Sequence, residues 1–465
     1  MTVSDFRKTV PQPLPPIAFS VPGAFKTSLD NGLRIVVVQD NRLPLVSYRL
    51  AFNWGDINDP EGQIGVTSAM ASMLNEGTAN YSSRQLADEI ERLGSNISVH
   101  ASDDFTILSA SALSLYSSEI LRLAAEIALR PTFPEDELDL YRRNTVEHLK
   151  FQRSQPGFLA NEQASRLVYG SHPYSRVSPS ADDIEKLTQP DLKDLHEQAF
   201  LPNNATFVVV GDVDREEIIR DINELFGGWP KGEVETKSFS PFSQREHRSL
   251  TIVDRPGSAQ SNIVLANSAI QRNSPDYFPV LVMNQVLGAG ASSRVFMNLR
   301  EEKGYTYGAY TRLDAKRLGG SFEATAEVRT AVTGDSLKEF FYELDRIRDE
   351  KVPDQELNDA KNFLTGVFPL RAETQEGMTN LVVNQLLYNL PDDYLETYRS
   401  NVEAVTADEV QRVAKQFVRP QQMAMVIVGD AKEIVPQASG YTDKIEIFDT
   451  EGNALDIVDQ EAAAN

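Results

Sequence analysis

The sequence contains no cysteine and only five histidines among its 465 residues. Without thiols there are no disulfides, no thiolate zinc sites, no iron–sulfur clusters and no cysteine nucleophile; the composition fits an oxidising or a reducing compartment. No stretch reaches the roughly 18 apolar residues of a bilayer-spanning helix, and the start MTVSDFRKTVPQPLPP has no apolar signal-peptide core. No membrane span is expected. Basic residues are scarce too: 45 Lys+Arg stand against 68 Asp+Glu, a net charge of −23, and no basic block offsets it locally. Such a chain repels phosphate backbones, so nucleic acid is excluded as a first choice of partner. What is abundant is material for a core. A 41% hydrophobic composition with 22 Phe and 15 Tyr is that of a folded globular protein, long enough for more than one core.

An internal repeat organises the chain. Leu201–Asp212 reads LPNNATFVVVGD and Arg419–Asp430 reads RPQQMAMVIVGD: in each, a Pro, a polar lead-in, a four-residue apolar run and Gly-Asp. Pro202 pairs with Pro420, Gly211 with Gly429 and Thr188 with Thr406, at one constant offset. Both Thr residues precede an acidic residue by three positions (Asp191, Glu409), the mark of a helix N-cap. FPEDEL at Phe133–Leu138 and VPDQEL at Val352–Leu357 extend the match. Strand-like runs such as LRIVVV and FTILSASAL alternate with helical stretches in both halves. The pattern predicts an α+β fold of two homologous domains, each a mainly antiparallel sheet covered by helices. Their spans are 22–230 and 245–437, joined by a polar linker at 231–244, with an N-terminal extension at 1–21 and a loosely held acidic tail at 438–465.

At Gly65–Thr78 the chain reads GVTSAMASMLNEGT. Val66, Ala69, Met70, Met73 and Leu74 form one apolar face of a helix, and Gly77 is placed to end it. With the preceding NGLRIVVVQDNRLPLVSYRLAFNWGDINDPEGQIG, this segment resembles the pitrilysin and mitochondrial-processing-peptidase family of inverted-motif zinc peptidases. The resemblance covers nearly the whole chain. In that family the helix carries His-x-x-Glu-His, whose imidazoles bind zinc and whose carboxylate takes a proton from the metal-bound water. Here the matching residues are Ser68, Ala71 and Ser72. A neutral hydroxyl is a poor zinc ligand and a methyl group accepts no proton, so the resemblance implies no catalytic zinc in this chain. The family's third ligand falls near Glu147 or His148. His100, His148, His172, His196 and His247 include no i, i+4 pair, and spacing alone makes them scattered surface or loop residues. Small residues at 68, 71 and 72 also suit a plain close contact between helices.

In the second half, LGAGASSRVFMNLREEKGYTYGAY at Leu287–Tyr310 resembles the family's Gly-rich turn and helix, followed by an Arg and, seven residues on, a Tyr: Arg300 and Tyr307. In catalytic members these groups face the zinc and steady the charge that develops on the scissile carbonyl. The residues by themselves allow another reading. Ser292 or Ser293 caps a helix with Val295, Phe296 and Leu299 inward, Arg300–Lys303 are its solvated end, and Tyr305, Tyr307 and Ala309 share a strand face. GAGASS lacks the third Gly of a dinucleotide loop and the Lys of a phosphate loop, and is read as a tight turn between helices.

A family fold without the zinc motif but with the Arg/Tyr pair resembles the non-catalytic subunit of a two-subunit peptidase. The resemblance then implies a heterodimer with a zinc-bearing homologue, peptide substrates, no cofactor in this chain and zinc in the partner. A non-enzymatic peptide-binding or scaffold member of the same family is the alternative. The leader PQPLPPIAFSVPG resembles the segment behind the signal peptide of exported bacterial members, which implies the periplasm; a cytoplasmic location stays open.

Overall fold

The two Gly-Asp runs become the buried inner strands of two sheets. The computed structural model describes residue 20, residues 22–235 and residues 237–459; the Pro-rich leader and residues 460–465 lie outside the described residues. The first sheet contains β1 (Ala24–Ser28), β2 (Arg34–Gln39), β3 (Leu45–Phe52), β4 (Asn96–Ala101), β5 (Thr106–Leu113) and β6 (Ala205–Gly211) in the order β1-β2-β6-β3-β5-β4. The second contains β7 (Ser249–Asp254), β8 (Gln260–Ala269), β9 (Thr306–Ala315), β10 (Gly320–Arg329), β11 (Ala424–Gly429), β12 (Lys444–Phe448) and β13 (Ala454–Asp459) in the order β13-β12-β7-β11-β8-β10-β9. Pairing is mainly antiparallel. Two of the three exceptions match across the halves: β6 runs parallel to β2 and β11 parallel to β7, because a crossover separates the strands of each pair.

The unbroken apolar runs in β6 and β11 have a specific cause: both faces of each sheet are covered. Phe207 and Val209 enter the core under the first half's own helices, while Val208 and Val210 face the cluster that includes Val382 and Val383 of the helix Gln375–Leu387. In the second sheet Met425 and Ile427 face that half's own helices, and Val426 and Val428 meet Leu159, Ala160 and Val168 of the helix Pro156–Tyr169. Each half therefore lends one helix to the other's sheet. Fully burying a valine or leucine contributes about 1.5–3 kcal/mol, so this exchange makes the two halves one cooperative body rather than tethered domains.

Hairpin tips complete the join. Asp103 and Asp104, between β4 and β5, meet Lys316 and Arg317, between β9 and β10. Lys316 Nζ lies 2.7 Å from Asp103, the Arg317 N–H donates to Asp104 at 3.1 Å, and the Tyr174 hydroxyl donates to the other Asp104 oxygen at 2.7 Å. Asp104 is buried, and burial raises its pKa against the pull of the Tyr174 hydrogen bond.

The repeat's helix starts form as read: Thr188 and Thr406 each close a capping box, with Asp191 and Glu409. The tail departs from expectation. Much of 438–459 is built into the second sheet, β12 pairing in parallel with β7 and β13 antiparallel with β12. Its acidic residues hid the alternation that puts Ile445 and Ile447 into the core.

Candidate functional site

The motif segment folds as the helix Val66–Met73, with Val66, Ala69, Met70, Met73 and Leu74 all buried. It ends ahead of Gly77, which adopts φ +150 a few residues on. Its N-terminus is satisfied from the preceding loop: the Asp59 carboxylate accepts the Gly65 N–H at 2.7 Å and the Thr67 N–H at 3.2 Å, and the Thr67 hydroxyl donates to it as well. A carboxylate there answers both the orphan N–H groups and the positive end of the helix dipole. Burial nevertheless pushes the Asp59 pKa up to about 6, with the Thr67 and Gly65 bonds pulling the other way.

Ser68 Oγ lies 2.9 and 3.0 Å from the two Asp56 carboxylate oxygens and donates to that group. Burial, then the neighbouring Asp59 charge, push Asp56 up to about 7, against the Ser68 bond. Asp56, Asp59, Ser68, Tyr141, His148 and Arg176 border a cavity of about 290 Å³. The Ser72 hydroxyl is turned away, donating to the Ser68 carbonyl at 2.9 Å, and the Ala71 methyl is packed in the first-half core at 2% exposure. Of the two candidates for the third family position, His148 borders this cavity, while Glu147 is exposed and paired with Lys150 at 2.6 Å. These residues do not fit a zinc ion. One hydroxyl is committed to a carboxylate, the other to a carbonyl, and the proton acceptor is missing. Among the described residues no group of three or more His, Asp or Glu side chains is arranged to hold a metal.

The second-half motif lies elsewhere: every residue bordering that cavity is from the first half, and neither Arg300 nor Tyr307 touches it. As read from the sequence, GAGASS is a turn between two helices, Tyr277–Leu287 and Arg294–Phe296. Gly288 is required there because a Cβ would stand 2.4 Å from the Thr311 nitrogen of β9, whose N–H donates to the Gly288 carbonyl. Ser293 precedes the short helix, but its hydroxyl donates back to the Gly290 carbonyl instead of capping. The chain then widens into a π-helical turn, Met297–Glu302, a rare geometry with i→i+5 bonds often found at functional positions.

Polar anchors hold that turn. The buried Asn298 amide donates to Glu339 at 3.1 Å and Glu343 at 3.0 Å, both on the helix Thr333–Asp349, and Arg294 pairs with Glu356 at 2.7 Å. Val295, Phe296 and Leu299 face inward as expected. Arg300 projects outward, its guanidinium 5.1 Å from the Phe296 ring centroid and 2.6 Å from Glu301. Tyr307 is 91% exposed, and among the described residues its hydroxyl makes no hydrogen bond. The expected shared face of Tyr305, Tyr307 and Ala309 does not form: the register shifts between Ala326 and Val328 of the paired strand, and Ala309 is buried while Tyr307 points out.

Sequence reasoning missed two things here. The Asp56–Asp59 pair had no motif to announce it, since both residues read as ordinary loop acids. The histidines are not all surface groups: His196 lies tilted against Phe200, ring centroids 4.9 Å apart, with Nε2 2.8 Å from the Ala128 carbonyl, and His172 is only 5% exposed.

With this geometry described, comparison with known proteins is informative. Residues 34–176 match the family described as insulinase (peptidase family M16), and residues 186–364 match the peptidase M16 inactive domain. Over 408 residues the chain is 22% identical to the non-peptidase homolog YmxG of Helicobacter pylori, spanning 86% of this chain and 92% of that protein. A crystal structure of a peptidase M16 inactive domain from Pseudomonas fluorescens superposes with a TM-score of 0.83 at 27% identity, over 88% of this chain and 98% of that one. The periplasmic protease PqqL of Escherichia coli superposes with a TM-score of 0.73 at 17% identity, over 92% of this chain but 50% of its own length.

Proposed function

Because the chain belongs to the M16 peptidase family and lacks that family's His-x-x-Glu-His, we propose that it is the non-catalytic subunit of a two-subunit zinc peptidase. The observation that carries this reading is the contrast between the two motifs: Ser68 and Ser72 are consumed by internal bonds, whereas Arg300 and Tyr307 stand exposed with almost no use for them in the fold. A cation and a phenol donor held on structured elements suit a peptide carbonyl that gains negative charge during attack. In this reading a zinc-bearing homologue docks so that Arg300 and Tyr307 reach its peptide substrate. Positioning groups and metal activation are separable tasks that docking brings together. The half-length match to PqqL supports the arrangement, since two chains of this size make up the length of that protein.

Purification of the protein from its source cells tests the pairing: a zinc-bearing M16 homologue should accompany it, and the isolated chain should contain no stoichiometric zinc. In the reconstituted pair Arg300→Ala or Tyr307→Phe should lower turnover by about 10–1000-fold, the scale for losing such a donor. One zinc per isolated chain with peptidase activity sinks the proposal. Unchanged turnover in both variants leaves the scaffold or peptide-binding role instead. The periplasm is the proposed compartment, supported by the Pro-rich leader and by the periplasmic setting of PqqL, and fractionation of the source cells tests it.

A further inference from the structure

A second cavity, about 590 Å³ and larger than the one beside the motif helix, opens between the linker and the turn that follows the helix Pro156–Tyr169. Linker residues Phe239 and Phe242 form one wall, and their position is fixed: a Cβ on Gly319 would stand 2.2 Å from the Phe242 ring, so that ring sits directly on the backbone of the second half. His172 borders the same cavity and packs edge-on against these rings, its ring centroid 5.7 Å from Phe239, 5.4 Å from Phe242 and 4.6 Å from Tyr174.

His172 is more than nine-tenths buried and its Nδ1 accepts the Tyr174 N–H at 3.2 Å. A neutral imidazole that accepts at Nδ1 carries its proton on Nε2. Among the described residues nothing accepts from that Nε2–H, and the atom is not sealed from the cavity. Burial lowers the His172 pKa, and the charges of Lys316 and Arg176 lower it further, against Asp103. Two arginines, Arg176 and Arg245, border the cavity against one carboxylate, Glu61. Arg245 is engaged with the Leu167 carbonyl and Ser249, whereas Arg176 makes one long contact, 3.4 Å to the Asp59 carbonyl, and has donors to spare.

We propose that this cavity binds the carboxylate of an aromatic or large apolar amino acid, free or at the C-terminus of a peptide, through the His172 Nε2–H and the Arg176 guanidinium, with Phe239 and Phe242 against its side chain. The His172 Nε2–H and the Arg176 guanidinium together match a carboxylate. The site shares Pro173 and Arg176 with the lining of the cavity beside the motif helix, but it does not rest on the peptidase reading.

Calorimetric titration of the full chain with N-acetyl-L-phenylalanine, its neutral amide and the peptide Ala-Ala-Ala-Phe tests this. The acid should saturate at about millimolar concentration or below and bind at least about tenfold more tightly than the amide, the usual scale for a charge-assisted bond. His172→Phe keeps an aromatic ring without the donor, Arg176→Gln removes the charge, and each should weaken the acid by about tenfold or more. Tighter binding of the peptide than of the acetylated amino acid assigns the source as a peptide terminus, and equal binding assigns it as the amino acid. No saturation by the acid or peptide, equal binding of acid and amide, or unaltered binding in a folded Arg176→Gln variant overturns the proposal. Should His172→Phe fail to fold, Arg176→Gln at the rim decides alone.

Discussion

Asp56 offers a quantitative test of the packing around the motif helix. Its carboxyl ordinarily titrates near 3.8, and burial beside Asp59 pushes it up to about 7 in the folded chain. The sign follows from linkage: between those values the folded protein keeps a proton that the unfolded chain releases, so stability is full at low pH and is lost as pH rises toward 7. Each pH unit in that window costs about 1.4 kcal/mol, so the climb from pH 5 to pH 7 removes about 3 kcal/mol, after which the effect levels off. Asp56→Asn keeps an acceptor for Ser68 and carries no charge. Its melting temperature relative to the parent should rise by roughly 5–10 °C between pH 5 and pH 8, taking about 2–4 °C per kcal/mol for a core of this size. Subtracting the two proteins' curves cancels the histidines and other carboxyls that also titrate. Parallel curves from pH 5 to pH 8 would show that Asp56 is solvated and ordinary, and would refute the account of a buried Ser68–Asp56 pair.

Further outcomes follow from the same geometry. Restoring the family motif by S68H/A71E/S72H should yield no stoichiometric zinc and should destabilise the chain by about 2 kcal/mol or more, because position 71 opens into the core; one tightly bound zinc per chain, measured by metal analysis, would contradict this. In the reconstituted pair, Asn298→Leu should lower turnover about tenfold by releasing the π-helical turn, yet add little to Arg300→Ala. Full additivity of the two would mean Asn298 does not act through Arg300. Gly288→Ala should cost about 1–3 kcal/mol in denaturant unfolding, since its Cβ collides with β9, and an unchanged midpoint would argue against that close approach. Association with the partner should slow as salt is raised if the charge of −23 steers it, and a flat rate would count against steering.

The repeat was legible because identical local physics recurs in each half. A Thr that caps a helix and an apolar run that ends in Gly-Asp look the same wherever they occur, and both formed as read. Less legible was anything that depends on the opposite face. The four-residue runs read as buried strands, but did not show that a helix of the other half covers one face of each. The acidic tail looked solvated because Asp and Glu dominate it, although alternate residues of β12 are apolar and buried. Tyr307 and Ala309 obey a two-residue alternation until a register shift breaks it, and a shift belongs to the pairing, not to one strand.

By itself the sequence determined that the family's zinc motif is absent: Ser68, Ala71 and Ser72 stand at the positions that match His-x-x-Glu-His. It also determined the twofold α+β plan, since caps and apolar periodicity act over a few residues. Tertiary structure alone decided where charges and donors ended up: Asp56 under Ser68, Arg300 turned outward by a π-helical turn, and His172 at the border of a second cavity. Desolvation and hydrogen-bond completion depend on neighbours far apart in the chain, and only packing brings those neighbours together.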